Sequence, residues 1–167
     1  MQFVFVSACL LGSPVRYNGT HKRASSEVLE RWLADGRVVS VCPEVAAGLP
    51  VPRPPAEVVA GAGGAKVLAG IAAVVDSRAK DVSAEFVAGA RHVLQQAREK
   101  GIRLAVLKDG SPSCGSGYIY DGSFTGARVP EQGVTAALLE SSGIRVFSEE
   151  QFAEADDFLL ALERKNA

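Results

Sequence analysis

The sequence predicts an α/β fold, with a single domain over residues 1–167 in which helices flank a small, Rossmann-like parallel sheet. A chain of 167 residues suits one hydrophobic core. Short apolar runs alternate with stretches of helical periodicity, and neither an internal repeat nor a linker interrupts them. Strands that alternate with helices imply parallel pairing through right-handed crossovers.

Four segments have the composition of buried strands. The first alternates and then becomes apolar throughout, two are short β-branched runs, and the last has only three residues. In chain order, the predicted strands cover residues 2–8, 38–42, 103–107 and 145–147.

Helical patterns lie between and after these strands. Ser25 or Ser26 can cap a helix that ends near Gly36, and Ser83 can cap the clearest helix, which ends at Gly101. That helix carries one apolar face, formed by Phe86, Val87, Ala90, Val93, Leu94 and Ala97.

A third helix is predicted to end at Gly143, and Ser148 with Gln151 has capping-box spacing for a last helix. Prolines in residues 50–55 exclude a regular helix or a central strand there. The glycine run at 61–64 lacks the lysine and hydroxyl of a P-loop. We expect both stretches to belong to one long loop, because long ordered loops in small domains often serve as functional lids.

Charge and hydropathy narrow the class of function. The net charge is −1 and the pI about 6.1, without the basic excess that duplex nucleic acid requires, so a small-molecule partner is favoured. The apolar stretch 67–75 falls short of the ~20 residues of a membrane span. The N-terminus has no signal-peptide pattern, and a cytoplasmic location is expected.

The three cysteines are the most informative residues. An odd number in a reducing compartment argues against disulfides, and by count alone they are small buried hydrophobes. Their positions favour a site instead. Cys9 and Cys42 end the first two predicted strands and Cys114 lies just beyond the third, where α/β sheets bind ligands.

Three thiolates suit an iron–sulfur cubane, which then keeps one iron without a protein ligand. Structural zinc prefers four ligands, commonly in C-x-x-C pairs, and the chain has no such pair. A catalytic zinc with three thiolates stays an alternative.

Polar neighbours of the cysteines extend this candidate site. Glu44 follows Cys42 by two residues and is either a general base or a surface glutamate. The loop around Cys114 offers hydroxyls and backbone N–H groups to a polar ligand, through Ser111, Ser113, Gly115 and Ser116. In the loop after the first strand, anion contacts are expected from Arg16, Tyr17, Lys22 and Arg23, unless these face solvent.

At these residues the sequence resembles the bacterial thiouracil desulfidase family, formerly a domain of unknown function. The resemblance covers nearly the whole domain. It rests on VSACLLG (6–12), VRYNG (15–19), CPE (42–44), GLPVPRPPAE (48–57), SPSCGSG with YDG (111–122), GVTAALL (133–139) and FSEE (147–150).

The resemblance implies a non-redox desulfidase with a [4Fe-4S] cluster held by Cys9, Cys42 and Cys114. It also implies roles for Glu44 and for one serine, Ser111 or Ser113. The expected substrates are 4-thiouracil and its nucleoside or nucleotide, such as 4-thiouridine monophosphate. Asn18 departs from the aspartate more usual in the family. A redox or metal sensor and a zinc hydrolase are the alternatives, and oligomeric state stays open.

Overall fold

The computed structural model describes all 167 residues. Eight strands and six α-helices are joined by loops and by two short 3-10 helices, at Ala8–Leu11 and Val59–Gly61. The elements in chain order are β1 (Val4–Ser7), α1 (Glu27–Ala34), β2 (Val38–Val41), α2 (Pro43–Ala46), β3 (Ala56–Val58), α3 (Gly64–Leu68), β4 (Val74–Asp76), α4 (Ser83–Glu99), β5 (Leu104–Leu107), β6 (Ile119–Tyr120), β7 (Arg128–Val129), α5 (Val134–Ser141), β8 (Arg145–Ser148) and α6 (Phe152–Lys165).

The central sheet has four strands in the order β2-β1-β5-β8, and every neighbouring pair is parallel. These are the four strands that the sequence predicts, with boundaries that differ by at most two residues. Strands β1 and β5 are buried at every position because they are central and covered on both faces. The α/β prediction is confirmed.

Side chains that alternate along the strands contribute to two apolar layers, one on each face of the sheet. Val4 and Val6 point to the face covered by α1 and α6, where Trp32 and Leu159 are buried. Phe5 points to the opposite face, which α4 and α5 cover. Both faces of the sheet are therefore closed, and its strand ends remain the accessible part.

The predicted caps are only partly correct. Ser26 caps α1, since its Oγ accepts the N–H of Leu29 at 3.3 Å. Ser83 does not cap α4; it is the first helical residue, and its Oγ accepts the N–H of Val74 at 2.9 Å. Gln151 Oε1 accepts the N–H of Ser148 at 2.9 Å, but α6 begins only after Gln151.

The single long loop expected over residues 50–64 is wrong in part. After Pro55 the chain forms β3, which pairs antiparallel with β4, and α3 begins at Gly64. The strand was missed because its partner lies farther along the chain and only tertiary pairing reveals it. A third apolar cluster beneath this layer contains Val58, Val67, Val74, Phe86, Ile119 and Val134.

No helix of the protein combines the length and apolar character needed to cross a membrane.

Candidate metal centre

The three cysteines follow the ends of three neighbouring strands. Cys9 lies in the 3-10 helix after β1, Cys42 directly follows β2, and Cys114 lies in the turn beyond β5. Because β2, β1 and β5 are adjacent and parallel, their carboxyl ends meet at one edge of the sheet. All three cysteines are free thiols and line one cavity of about 730 Å³.

The thiols affect one another electrostatically. Burial, reinforced by the nearby Cys42, raises the pKa of Cys9 to about 11. Burial also raises the pKa of Cys42, and the N–H of Val45 partly offsets it. Burial raises the pKa of Cys114 well above its usual value, and Cys42, Glu44 and Cys9 raise it further. Three neighbouring thiolates therefore need added positive charge, which a metal group supplies.

The donor set fits an iron–sulfur cubane. Soft thiolates are the preferred ligands of such clusters. No three His, Cys, Asp or Glu side chains converge closely enough to hold a single metal ion. In a cubane each thiolate ligates its own iron, so the sulfurs surround the group without meeting at one point.

Glu44 is held beside this set by the start of α2. Cys42 is the N-cap residue of α2, Pro43 occupies its first turn, and Glu44 follows in the same turn. Gly89 of α4 packs directly against the carbonyl of Pro43, and any larger side chain there would collide with it. The Cys-Pro-Glu segment is therefore clamped between the sheet edge and α4.

Arg53 is the principal residue of the site that the sequence analysis missed. Its Nε donates to Glu44 Oε2 at 2.8 Å, and its side chain is only 7% exposed. Its Nη2 also donates to the carbonyl of Val15 at 3.0 Å, and its backbone N–H to that of Tyr17. Arg53 thus ties Glu44 to the loop after β1. The signal in the sequence that could have pointed to Arg53 is its position between two prolines of the segment 50–55.

The two candidate serines occupy different environments. Ser111 lines the cavity, and its Oγ accepts the N–H groups of Ser113 and Cys114, both at 3.1 Å. Ser113 is fully buried outside the cavity lining, where its hydroxyl hydrogen-bonds Thr135 Oγ1 at 2.8 Å. Ser111 is therefore the serine that can face a ligand.

Gly115 and Ser116 do not line the cavity, contrary to expectation. The carbonyl of Gly115 accepts the N–H of Gly133 at 2.8 Å, which turns this part of the loop toward α5. The N–H of Ser116 donates to Asp109 Oδ1 at 3.1 Å. Both residues shape the loop without reaching the cavity.

Only some of the residues expected to contact an anion lie at the cavity. Arg16 and Tyr17 line it, but Lys22 does not. The N–H of Lys22 donates to the carbonyl of Cys9 at 3.0 Å, and its side chain borders a separate recess. Arg23 pairs with Glu30 at 2.8 Å. Besides Arg53, the cavity is lined by three further cations that sequence reasoning missed, Arg78, Lys80 and Lys108.

The fold and the three-thiol cavity define an α/β protein with a candidate metal centre at the carboxyl edge of its sheet. Residues 4–151 match the model of the 2-thiouracil desulfurase family, and the chain belongs to that family. The resemblance noted in the sequence is thereby confirmed.

Two similar proteins extend this result. The chain is 43% identical over 148 residues to "Uncharacterized protein YbbK" of Bacillus subtilis (strain 168), which covers 89% of this chain and 96% of that protein. It is also similar to a solved structure described as "[4Fe-4S]-dependent thiouracil desulfidase TudS (DUF523Vcz)". The identity is 48%, the TM-score is 0.85, and the match covers 98% of this chain and 99% of the other.

Proposed function

We propose that this protein is a [4Fe-4S]-dependent desulfidase that removes sulfur from a thiolated pyrimidine. The observation that carries the proposal is the shared cavity of Cys9, Cys42 and Cys114, with Glu44 in its wall. Membership of the 2-thiouracil desulfurase family and the likeness to a [4Fe-4S]-dependent thiouracil desulfidase support it. A cluster of this kind suits the cytoplasm, where thiols stay reduced.

The three cysteines would hold the cluster and leave one iron without a protein ligand. When bound, the cluster supplies a thiophilic Lewis acid that polarises a carbon–sulfur bond. Lys108 and Arg16 lie close enough to Cys9 to lower its pKa against the effect of burial, and they would offset part of the negative charge.

The protein side chains would manage water and protons. Glu44 takes a proton from a water molecule, whose oxygen attacks the ring carbon that bears sulfur. The Ser111 hydroxyl or a loop N–H group stabilises the charge that develops on the ring. The carbon–sulfur bond then breaks, and sulfur leaves as sulfide while oxygen takes its place. Water supplies the oxygen and the protons, so no net electron transfer is required.

The substrate is 4-thiouracil, its nucleoside or its nucleotide. A cavity of about 730 Å³, part of which the proposed cluster would occupy, lies in the range of small-molecule sites. Arg16, Arg78 and Lys80 in its lining suit a phosphate, as in 4-thiouridine monophosphate. Turnover of the monophosphate at least equal to that of the free base, compared by kcat/KM, is the expected result.

Anaerobic reconstitution followed by a sulfide assay tests the proposal. The protein should be brown, contain about four irons per chain and release sulfide from 4-thiouracil. A colourless protein with one tightly held zinc would indicate the hydrolase alternative. A fully loaded protein that releases no sulfide from any thiopyrimidine would indicate a sensor.

A further inference from the structure

A short hairpin presents an aromatic side chain to the cavity. Strands β6 and β7 pair antiparallel, and the loop between them carries Phe124. Phe124 lines the cavity and is 41% exposed. Its backbone is left-handed, with φ of 56°. A bulky side chain rarely adopts this conformation, and such strain persists where the surroundings enforce it.

The surroundings of Phe124 do enforce it. Glu57 Oε1, on β3, accepts the N–H groups of Gly122 at 3.0 Å and Phe124 at 3.2 Å. Gly122 has φ of 93°, and a Cβ there would lie 2.5 Å from the carbonyl oxygen of Val58. The N–H of Asp121 donates to the carbonyl of Ala127 at 3.0 Å. The hairpin tip is therefore fastened to β3 and closed on itself.

Core packing does not explain this arrangement, because the ring is not buried. The other aromatic rings of the cavity already have partners. Tyr120 packs edge-on against Tyr118 at 6.0 Å, Tyr17 lies 5.9 Å from the Arg16 guanidinium, and Phe86 is buried in the core. Phe124 has neither an aromatic nor a cationic partner, so its ring has no stacking partner within the protein.

We propose that Phe124 is the ring-stacking residue of this cavity, and that Glu57 is the positioning residue that holds it there. The ligand class is a planar heteroaromatic ring, which the pyrimidine of the proposed function supplies, and on that function the inference rests. A rigid, pre-placed ring binds with little loss of side-chain freedom.

The test compares Phe124→Ala, Phe124→Leu and Phe124→Trp in the cluster-loaded protein. Ile71→Ala is the control, since Ile71 is 74% exposed and outside the cavity lining. Steady-state desulfidation of 4-thiouracil and calorimetric binding of uracil are measured alongside iron content. Loss of stacking should raise KM and the uracil Kd about 5- to 150-fold in the alanine variant. The leucine variant should also bind weakly, and tryptophan should restore binding.

Glu57→Ala should also raise KM. Glu57→Gln should largely restore the wild-type KM, because its amide oxygen can still accept the N–H groups of Gly122 and Phe124. In the Phe124→Ala background, Glu57→Ala should add nothing to KM, as expected of a residue that acts through Phe124.

Unchanged KM and uracil Kd in Phe124→Ala and Phe124→Leu, with normal sulfide release, would overturn this inference alone. Uracil binding that depends on Phe124 without any sulfide release would support the inference and refute the proposed function. A wild-type protein that neither binds uracil nor releases sulfide from any thiopyrimidine would refute both.

Discussion

Arg53 contacts Glu44 through a single carboxylate oxygen. Its Nε lies 2.8 Å and its Nη2 2.5 Å from Glu44 Oε2, and Oε1 has no hydrogen-bond partner in the protein. The ion pair thus fixes the carboxylate and leaves one oxygen available to a water molecule in the cavity. A carboxylate that is both held and half free meets the geometric need of a general base.

Glu44→Gln should keep the cluster and lose activity. Glutamine preserves size and hydrogen bonding but cannot take the proton, so kcat should fall by at least about 100-fold. Iron content, the visible spectrum and sulfide release are measured on the same sample. Near-full desulfidation would mean that another group activates water, and loss of the cluster would make Glu44 a ligand or a structural support.

Alanine at Cys9, Cys42 or Cys114 provides the matching control for Glu44→Gln. Each of these substitutions should remove cluster and activity together, because each residue would supply a ligand. A cysteine variant that retains about four irons per chain would exclude that cysteine from the ligand set.

Arg53→Met should impair catalysis through Glu44. The methionine fills similar space but releases Oε2, and misplacement of a reacting group costs on the order of 100-fold. Arg53→Lys should recover only part of the rate, since lysine lacks the planar fork. In the Glu44→Gln background, Arg53→Met should cost little more. Additive losses in this double-mutant cycle would assign Arg53 an independent role.

The paired substitutions Ser111→Ala and Ser113→Ala should differ in their effect on kcat. Ser111→Ala removes the hydroxyl from the cavity, and loss of one charge-stabilising donor typically costs about 10²–10³ in kcat. Ser113→Ala leaves the buried hydroxyl of Thr135 unpaired, which should lower the free energy of unfolding by about 1–3 kcal/mol with kcat nearly intact. Urea denaturation and kcat separate the two outcomes, and a reversed pattern would assign the chemistry to Ser113.

Asp156 should make stability depend on pH. Burial tends to raise its pKa, but hydrogen bonds from Arg31 and Trp32 outweigh this effect and hold the pKa below its usual value. A carboxyl with a depressed folded pKa stabilises the protein above its unfolded pKa, and this contribution is lost as the pH falls through the folded pKa.

Asp156→Asn should therefore lower the free energy of unfolding at pH 7 by about 1 kcal/mol. The difference from wild type should shrink below about pH 4, near the unfolded pKa of an aspartate. Urea denaturation of both proteins at pH 7 and below about pH 4 measures this difference in the free energy of unfolding. An equal difference in the two conditions would show that the carboxylate charge contributes nothing.

The fold was largely predictable because its signals are local. Each strand of the central sheet is a short apolar run, and parallel strands necessarily bring their carboxyl ends together. That rule alone placed Cys9, Cys42 and Cys114 at a common edge. Residue spacing left Glu44 as either a general base or a surface glutamate, and the family resemblance favoured the functional role. The resemblance left the serine open between Ser111 and Ser113, and only the structure distinguishes them, since Ser111 lines the cavity and Ser113 does not.

The remaining parts of the site depend on tertiary contacts. Arg53 reaches Glu44 only because the proline-rich segment folds back beneath the loop after β1. Phe124 reaches the cavity because Glu57 binds its hairpin. Lys22 was misplaced for the opposite reason: proximity in sequence to a candidate site does not give the direction of a side chain.

The strand order has a consequence for how the metal centre is assembled. Cys9, Cys42 and Cys114 are far apart along the chain and meet only when β2, β1 and β5 have paired. A nascent or partly folded chain therefore offers isolated thiols and no pre-formed chelating pair. Under the proposed ligation by these three cysteines, cluster insertion would follow formation of the sheet, and the polypeptide would fold without the cluster. The order of events would then differ from that of small zinc domains, in which metal binding drives folding.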